Sequence, residues 1–217
     1  MSETKRRAAI RPGADNRSMT SADPSVLAFC RRAIARVERI DTSSARADDA
    51  VGDELPILRH VGGGIVASHV VVDGGREILV TGRHLRAAGL PADELHAIAR
   101  RNLGALALPR VDVEHFGHIF VAVTGLDLEA SLILCDAFWD DLQATSAPGG
   151  FVAAIPGREL IAFGDAASTD AIRELEDFCT RVEPALVHPL TDRLYRRAAG
   201  RWEPLADDGG SARDGGG

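Results

Sequence analysis

The chain has 217 residues, 45% of them hydrophobic, and a formal net charge of -7. That length and apolar content are enough for one sizeable core. The acidic balance argues against a nucleic-acid partner, and no apolar run approaches the roughly 20 residues of a membrane-spanning helix.

The charge is unevenly distributed. Residues 1–40 carry nine Lys/Arg against four acids, which leaves -12 for the rest. Two readings follow: a solvated basic arm leading into a helix, or a docking surface for an acidic partner or for the protein's own acidic face. The opening MSETKRRAAIRPGADNRSMTSADP has charge but no apolar stretch, so no secretory leader is expected. Cys30, Cys135 and Cys179 are far apart, odd in number and without a C-x-x-C pair. They read as small core residues in a reducing cytoplasm; no disulfide framework, metal site or cofactor is expected.

Composition predicts a disordered basic arm over 1–22, a single α+β domain over 23–205 and a disordered Gly-rich tail over 206–217. The domain opens with a helix. Asp23 can cap it, Pro24 suits its first position, and Val26, Cys30, Ile34, Val37 and Ile40 recur at helical spacing. The polar stretch DTSSARADDAVGDELP reads as a linker.

HVGGGIVASH follows, residues 60–69. Gly62, Gly64 and Ala67 match the dinucleotide-loop pattern G-x-G-x-x-A, and a histidine ahead of glycines is also found in esterase oxyanion loops. A dinucleotide loop needs a helix directly after the glycines, so that its N-terminus can hold the pyrophosphate. Here Ile65, Val66 and Val70 to Val72 make a β run instead. An oxyanion loop needs a nucleophile, and G-x-S-x-G is absent; Ser131 falls in a helical pattern. Gly62, Gly63 and Gly64 are therefore read as structural, a bend or bulge feeding a strand.

Asp73-Gly74-Gly75 between β-branched runs predicts a hairpin. Thr81 and Gly89 bracket a short helix, and Pro91 opens a longer one with Leu95, Ile98, Ala99, Asn102 and Leu103 on one face. Asn102 is polar on the buried side, so its amide is expected to bond the backbone of a neighbouring strand end or loop. A second hairpin is centred on Gly117. His115 and His118 would face each other in one register. A register shifted by one gathers Val111, Val113, Ile119, Val121 and Val123 on one apolar face, which is the better sheet, and leaves His118 in the turn.

LDLEASLILCDAFWDDLQ reads as one helix, with Leu128, Leu132, Cys135, Trp139 and Leu142 inward and Glu129, Asp136 and Asp140 on the wet side. A third hairpin turns at Pro156-Gly157. Arg158 and Glu159 flank that turn, as a cross-turn surface pair or as partner contacts. A helix capped by Ser168 or Thr169 follows, and then two short strands about Gly200. Trp202 there is either a core plug or an interface anchor. Three successive hairpin–helix units predict a mainly antiparallel sheet with helices packed on one side.

The order LPADELHAIARRNL, GHIFVAVTG, EASLIL, FVAAIPGRELIAF and HPLTDRLYRRAAGRWEPL resembles the YtpQ-like family of bacterial proteins of unknown function. The resemblance covers Leu55 to Leu205. It rests on Asn102-Leu103, Gly117, Ala130-Ser131, the Ile155-Pro156 to Arg158 turn and the closing Arg-Trp. It implies an intracellular bacterial protein and supplies no catalytic residues.

Caps, turns and core positions account for most of the distinctive residues. The functional expectation is a cytoplasmic, non-enzymatic protein-interaction module of chaperone-like, immunity or scaffold type, with Arg158, Glu159 and Trp202 as candidate contacts. Its partner would be another protein, and self-association is compatible with it. The alternatives are a hydrolase or transferase using His60, His69, His84 and an acid, or a small-ligand sensor.

Overall fold

The computed structural model describes residues 22–40 and 53–206. The expectations for the basic arm and the Gly-rich tail, and most of the linker, lie outside those residues.

Helix α1 (Pro24–Cys30) begins where the sequence places it: the Asp23 carboxylate accepts from Ser25 N, and Pro24 occupies the first turn. It does not continue to Ile40. The chain turns at Arg31-Arg32 and becomes strand β1 (Ile34–Arg39). The segment that fits helical spacing also fits a period of two, and Ala33, Ala35 and Val37 are all fully buried. Asn102, on helix α3 (Ala92–Ala107), holds the turn between the two elements. Its Nδ2 donates to the carbonyls of Arg31 and Ala33, both at 2.8 Å.

Strands β2 (Arg59–Gly62), β3 (Ile65–Asp73) and β4 (Arg76–Leu79) join β1 in an antiparallel sheet with β3 at its centre. β1 lies along one edge of β3; β2 and β4 lie along the other. Gly74 and Gly75 make the expected hairpin turn, both at positive φ. Gly63 and Gly64 make a second such turn, from β2 into β3, with a register shift between His60 and Gly62. The glycine run is thus the tip of a hairpin.

Helix α2 (Gly82–Ala88) runs from Thr81 to Gly89, whose φ is +61. The second sheet has six antiparallel strands in the order β10-β9-β7-β8-β6-β5. These are β5 (Asp112–Phe116), β6 (Ile119–Val123), β7 (Phe151–Ala154), β8 (Ile161–Asp165), β9 (Leu194–Ala198) and β10 (Arg201–Pro204). One face carries Phe151, Ile161, Phe163, Tyr195 and Trp202 into the main core, with Phe138 and Trp139 of helix α4 (Asp136–Ser146). The other face carries Ile119, Val121, Val152, Ala154 and Ala162 against Ala171, Leu175 and Cys179 of helix α5 (Thr169–Val182).

The mixed helix and antiparallel sheet is the α+β class expected, but the arrangement differs. The described residues form two sheets, and helices cover both faces of the larger one. The criterion of a single apolar face therefore selected the wrong register for the β5–β6 hairpin. Phe116 pairs with Ile119 and Glu114 with Val121, so Asp112 and Glu114 share a face with Ile119 and Val121. β5 is an edge strand, and its acids stand exposed beyond the cover of α5. His118 sits in the turn, where its N–H donates to Glu174 Oε2 at 2.7 Å.

The helix read over Leu126–Gln143 is broken. A 3-10 segment (Glu129–Leu134) is separated from α4 by Cys135, at φ -98 and ψ 88. Glu129 is not on a wet side. It is 3% exposed, and its Oε1 accepts from Thr124 N, Thr124 Oγ1 and Gly125 N. The 3-10 segment joins the two sheets. Ser131 Oγ accepts from Val37 N on the free edge of β1, and Ala130 N donates to the Arg158 carbonyl.

Replacing Asn102 by Leu leaves the Arg31 and Ala33 carbonyls without their side-chain donor. A loss of about 1–3 kcal/mol is expected, read as a lower midpoint in chemical denaturation. An unchanged midpoint would remove Asn102 from its role as the clasp between α3 and the α1–β1 turn.

Candidate functional site

Three polar constellations lie at or near the junctions of these elements. The first is the outer face of the small sheet. Arg36 is 8% exposed and fully engaged: Nε and Nη2 donate to Glu38 Oε1, and Nη1 donates to Glu77 Oε2 at 2.6 Å. Ser68 Oγ donates to the same Glu38 oxygen. The Arg36 hydrogen bond holds the Glu77 carboxyl below its usual range, with Arg158 and His188 adding to the effect. A buried guanidinium requires such partners, and here the network closes on itself.

The second is a histidine pair. His69, on β3, is 1% exposed, and His96 comes from α3. His69 Nδ1 lies 2.9 Å from the Ile57 carbonyl and Nε2 lies 3.2 Å from His96 Nδ1. A carbonyl only accepts, so His69 carries its proton on Nδ1. In a neutral pair His96 then donates from Nδ1 and keeps an unprotonated Nε2. Burial lowers the pKa of both rings. For His96 burial, then His69, Arg59 and Arg100, bring it to about 4. The pair borders a pocket of about 120 Å³ with Ile57, Leu58, Arg59, Ala92 and Asp93. Asp93 is already bound to Arg59 at 2.7 Å. Among the described residues no three His, Cys, Asp or Glu side chains gather as a metal site.

The third is an open groove of about 940 Å³ between the two sheets. One bank is the end of β1 and the glycine hairpin, with Arg39, Ile40, Gly63 and Gly64. The other bank is the last turns of α5 and the chain that follows, with Glu176, Cys179, Thr180, Glu183, Leu186, Leu190, Asp192 and Arg193. Among the described residues Glu176, Glu183 and Asp192 form no ion pair. Cys179 lies under this surface, and burial pushes its thiol up to about 11. It is therefore a protonated thiol at neutral pH, a poor nucleophile.

The residues singled out from sequence are dispersed by the fold. Trp202 is a core plug: it is 7% exposed, its ring centroid 4.7 Å from that of Trp139. Arg158 and Glu159 do not form a surface pair across the turn. Arg158 N donates to the His188 carbonyl, while Glu159 Oε1 accepts from Val187 N at 2.9 Å. Burial opposes ionisation of Glu159, but backbone donors including Val187 and His188 hold its carboxyl below the usual range. Both residues fasten the 186–190 segment that forms one bank of the groove.

The set His60, His69 and His84 is not assembled. His69 is paired with His96. His84 Nδ1 accepts from Thr81 N and its ring lies against Phe29, so it serves α2 as a cap. His60 is exposed on β2. Asn102 and Gly62 to Gly64 occupy positions that shape the backbone, as described above. The groove-lining Glu176, Glu183 and Asp192 had no sequence signal beyond being acids on or after an amphipathic helix.

The chain matches no family model, no curated protein and no solved structure.

The histidine pair has a consequence for stability. A histidine in the unfolded chain titrates near 6.5, whereas folded His96 holds out to about 4. Between these values the unfolded chain binds more protons, so stability is full above about pH 6.5 and falls as the pH drops towards 4. His96→Gln should flatten the pH dependence of the unfolding free energy over that interval. Equal slopes in the two proteins would show that His96 is not held neutral by the fold.

Proposed function

We propose that this protein is a non-enzymatic protein-interaction module whose binding surface is the groove between the glycine hairpin and the α5 bank. One observation carries the reading: a groove of about 940 Å³ lined by Glu176, Glu183 and Asp192, none of them in an ion pair with a described residue, together with Arg39 and Arg193. Its volume is at the upper end of the roughly 300–1,000 Å³ of ligand pockets, and the groove is open, which leaves room for a short extended segment of chain. The lining's acids outnumber its cations three to two, and with Leu186 and Leu190 in the same lining they favour a segment that combines basic and apolar residues. The chemistry around the groove supports binding rather than turnover. Its thiol is protonated, and the histidine pair borders a different pocket.

The kinship proposed with the YtpQ-like family rests on the order of the five sequence segments. An intracellular location remains part of the proposal; what supports it is the set of three unpaired, buried cysteines. No described helix is long and apolar enough to cross a membrane.

The reading is tested by comparing the wild-type protein with Glu176→Lys/Asp192→Lys, two exposed changes that leave the core intact. In affinity capture from the native host, a protein recovered with wild type should be reduced at least tenfold with the variant. Recovery of the same proteins in the same amounts by both would overturn the assignment of the groove as the binding surface.

A further inference from the structure

The large sheet ends in two edge strands, and the fold treats them differently. β10 is four residues long, ends at Pro204 and lies against the β2–β3 hairpin, where a Cβ at Gly62 would sit 3.2 Å from the proline ring. β5 has no such cover. Among the described residues it pairs only with β6, and Asp112, Glu114, His115 and Phe116 are exposed. Exposed edges are commonly blunted by a proline, a lysine, a bulge or a covering element. β5 contains no proline or lysine, and its register with β6 runs unshifted from Asp112 to Phe116.

The backbone of β5 is poised for a further strand. Gly117 and His118 make a two-residue turn, so Phe116 and Ile119 close the hairpin as a hydrogen-bonded pair. Antiparallel ladders alternate, so the backbone groups of Asp112, Glu114 and Phe116 turn towards β6, and those of Val113 and His115 turn to the open edge. β6 keeps the same alternation, which leaves Phe120 and Ala122 to pair with Phe163 and Ile161 of β8. No described residue bonds the outward N–H and C=O of Val113 and His115.

The side chains set which strand can add. Asp112 and Glu114 share one face, and Glu174 of α5 stands by the turn, accepting from His118 N. The nearby cations are occupied: Arg110 Nη1 donates to the Leu106 carbonyl at 2.9 Å, and Arg173 is bound to Asp170. The other face carries Val113 and His115, whose ring stacks on Phe120 at 4.6 Å. A second copy of the strand fits poorly. Antiparallel pairing centred on Val113 sets Asp112 against Glu114 of the other copy, and pairing centred on Glu114 sets that residue against itself. Like charges directly opposite are destabilising. A strand with cations at alternate positions meets both acids favourably, and apolar residues between the cations extend the row of Val113 and Phe120.

We propose that the open edge of β5 accepts an added strand from a second protein, an extended segment in which basic and apolar residues alternate. Backbone bonds to Val113 and His115 hold that strand, and Asp112 and Glu114 select it. This surface is separate from the groove. No residue of β5 lines the groove, and β5 and β10 stand roughly 24 Å apart across the sheet at about 4.8 Å per strand. Either surface can fail its test while the other stands.

The probe is a fluorescent peptide with the central run Val-Lys-Val-Lys-Val; its control has glutamates in place of the lysines. On the full-length protein the lysine peptide should slow hydrogen exchange at the Val113 and His115 amides, and the control should not. Affinities are then read by fluorescence anisotropy in the Glu176→Lys/Asp192→Lys background, so that the groove does not contribute. There the lysine peptide should bind at least tenfold more tightly than the control. Adding Val113→Pro, which removes an outward N–H that β6 does not use, should weaken it at least tenfold. Adding Asp112→Lys/Glu114→Lys, two exposed changes, should reverse the preference, and this arm stands even if the proline variant does not fold. Binding without protection at Val113 and His115 would overturn the proposal, as would an unchanged preference after the charge reversal. A dimer of the peptide-free protein that Asp112→Lys/Glu114→Lys alters would assign the edge to a second copy and overturn it too.

Discussion

Tyr195 Oη donates to the Gly62 carbonyl at 3.1 Å, and the tip of the β2–β3 hairpin lies directly on that phenol. A Cβ at Gly63 would sit 2.5 Å from the Tyr195 oxygen and 3.2 Å from Pro204. The hairpin of the small sheet can approach β9 and β10 of the large sheet this closely only because the tip has no side chain. Its backbone is at φ +59, a region that glycine enters freely. The Tyr195 hydroxyl is held in this contact as a phenol, since burial raises its pKa to about 12. Gly64, one residue on, faces open space, accepts from Ile40 N through its carbonyl, and forms part of the groove wall. The same three residues therefore bring the sheets together and leave a cleft beside the contact.

The opposite side of the junction is fastened by different chemistry. There the 3-10 segment carries Ser131 to the free edge of β1 and Ala130 to the carbonyl of Arg158. Arg158 and Glu159 in turn hold the backbone of 187–188. A chain of hydrogen bonds thus runs from the small sheet, through the connection between β7 and β8, to the bank of the groove. The groove is a consequence of how the two sheets are joined. Its shape is set by backbone contacts, and its charge by side chains that take no part in holding the fold.

Features set by short-range chemistry were legible in the sequence. Asp23 with Pro24, Thr81 with Gly89, the two glycines after Asp73 and the Ser168 cap each act within a turn or two of themselves. Ile34–Arg39 was not legible, because its alternation and its helical spacing are both good. Pairing with β3, some thirty residues further on, decides between them. Glu129 looked like the solvated side of a helix until the break at Cys135 turned it towards the amides of Thr124 and Gly125. The register of the β5–β6 hairpin depended on α5, which covers the second face of that sheet. The pairing of His69 with His96 had no sequence signal, since the two lie 27 positions apart on different elements. The groove was invisible for the same reason: it is made by two banks that meet only when the sheets dock.

The glycine tip on Tyr195 is the contact that this account depends on, and a double-mutant cycle measures it most directly. Gly63→Ala in the wild-type background sets a methyl against the phenol oxygen. In a Tyr195→Phe background that oxygen is gone. The account predicts that Gly63→Ala costs at least about 1 kcal/mol less in the Phe background, a coupling typical of residues in direct contact. Additive losses, with the same cost for Gly63→Ala in both backgrounds, would mean that the hairpin tip does not rest on Tyr195 and that the sheets are joined in some other way.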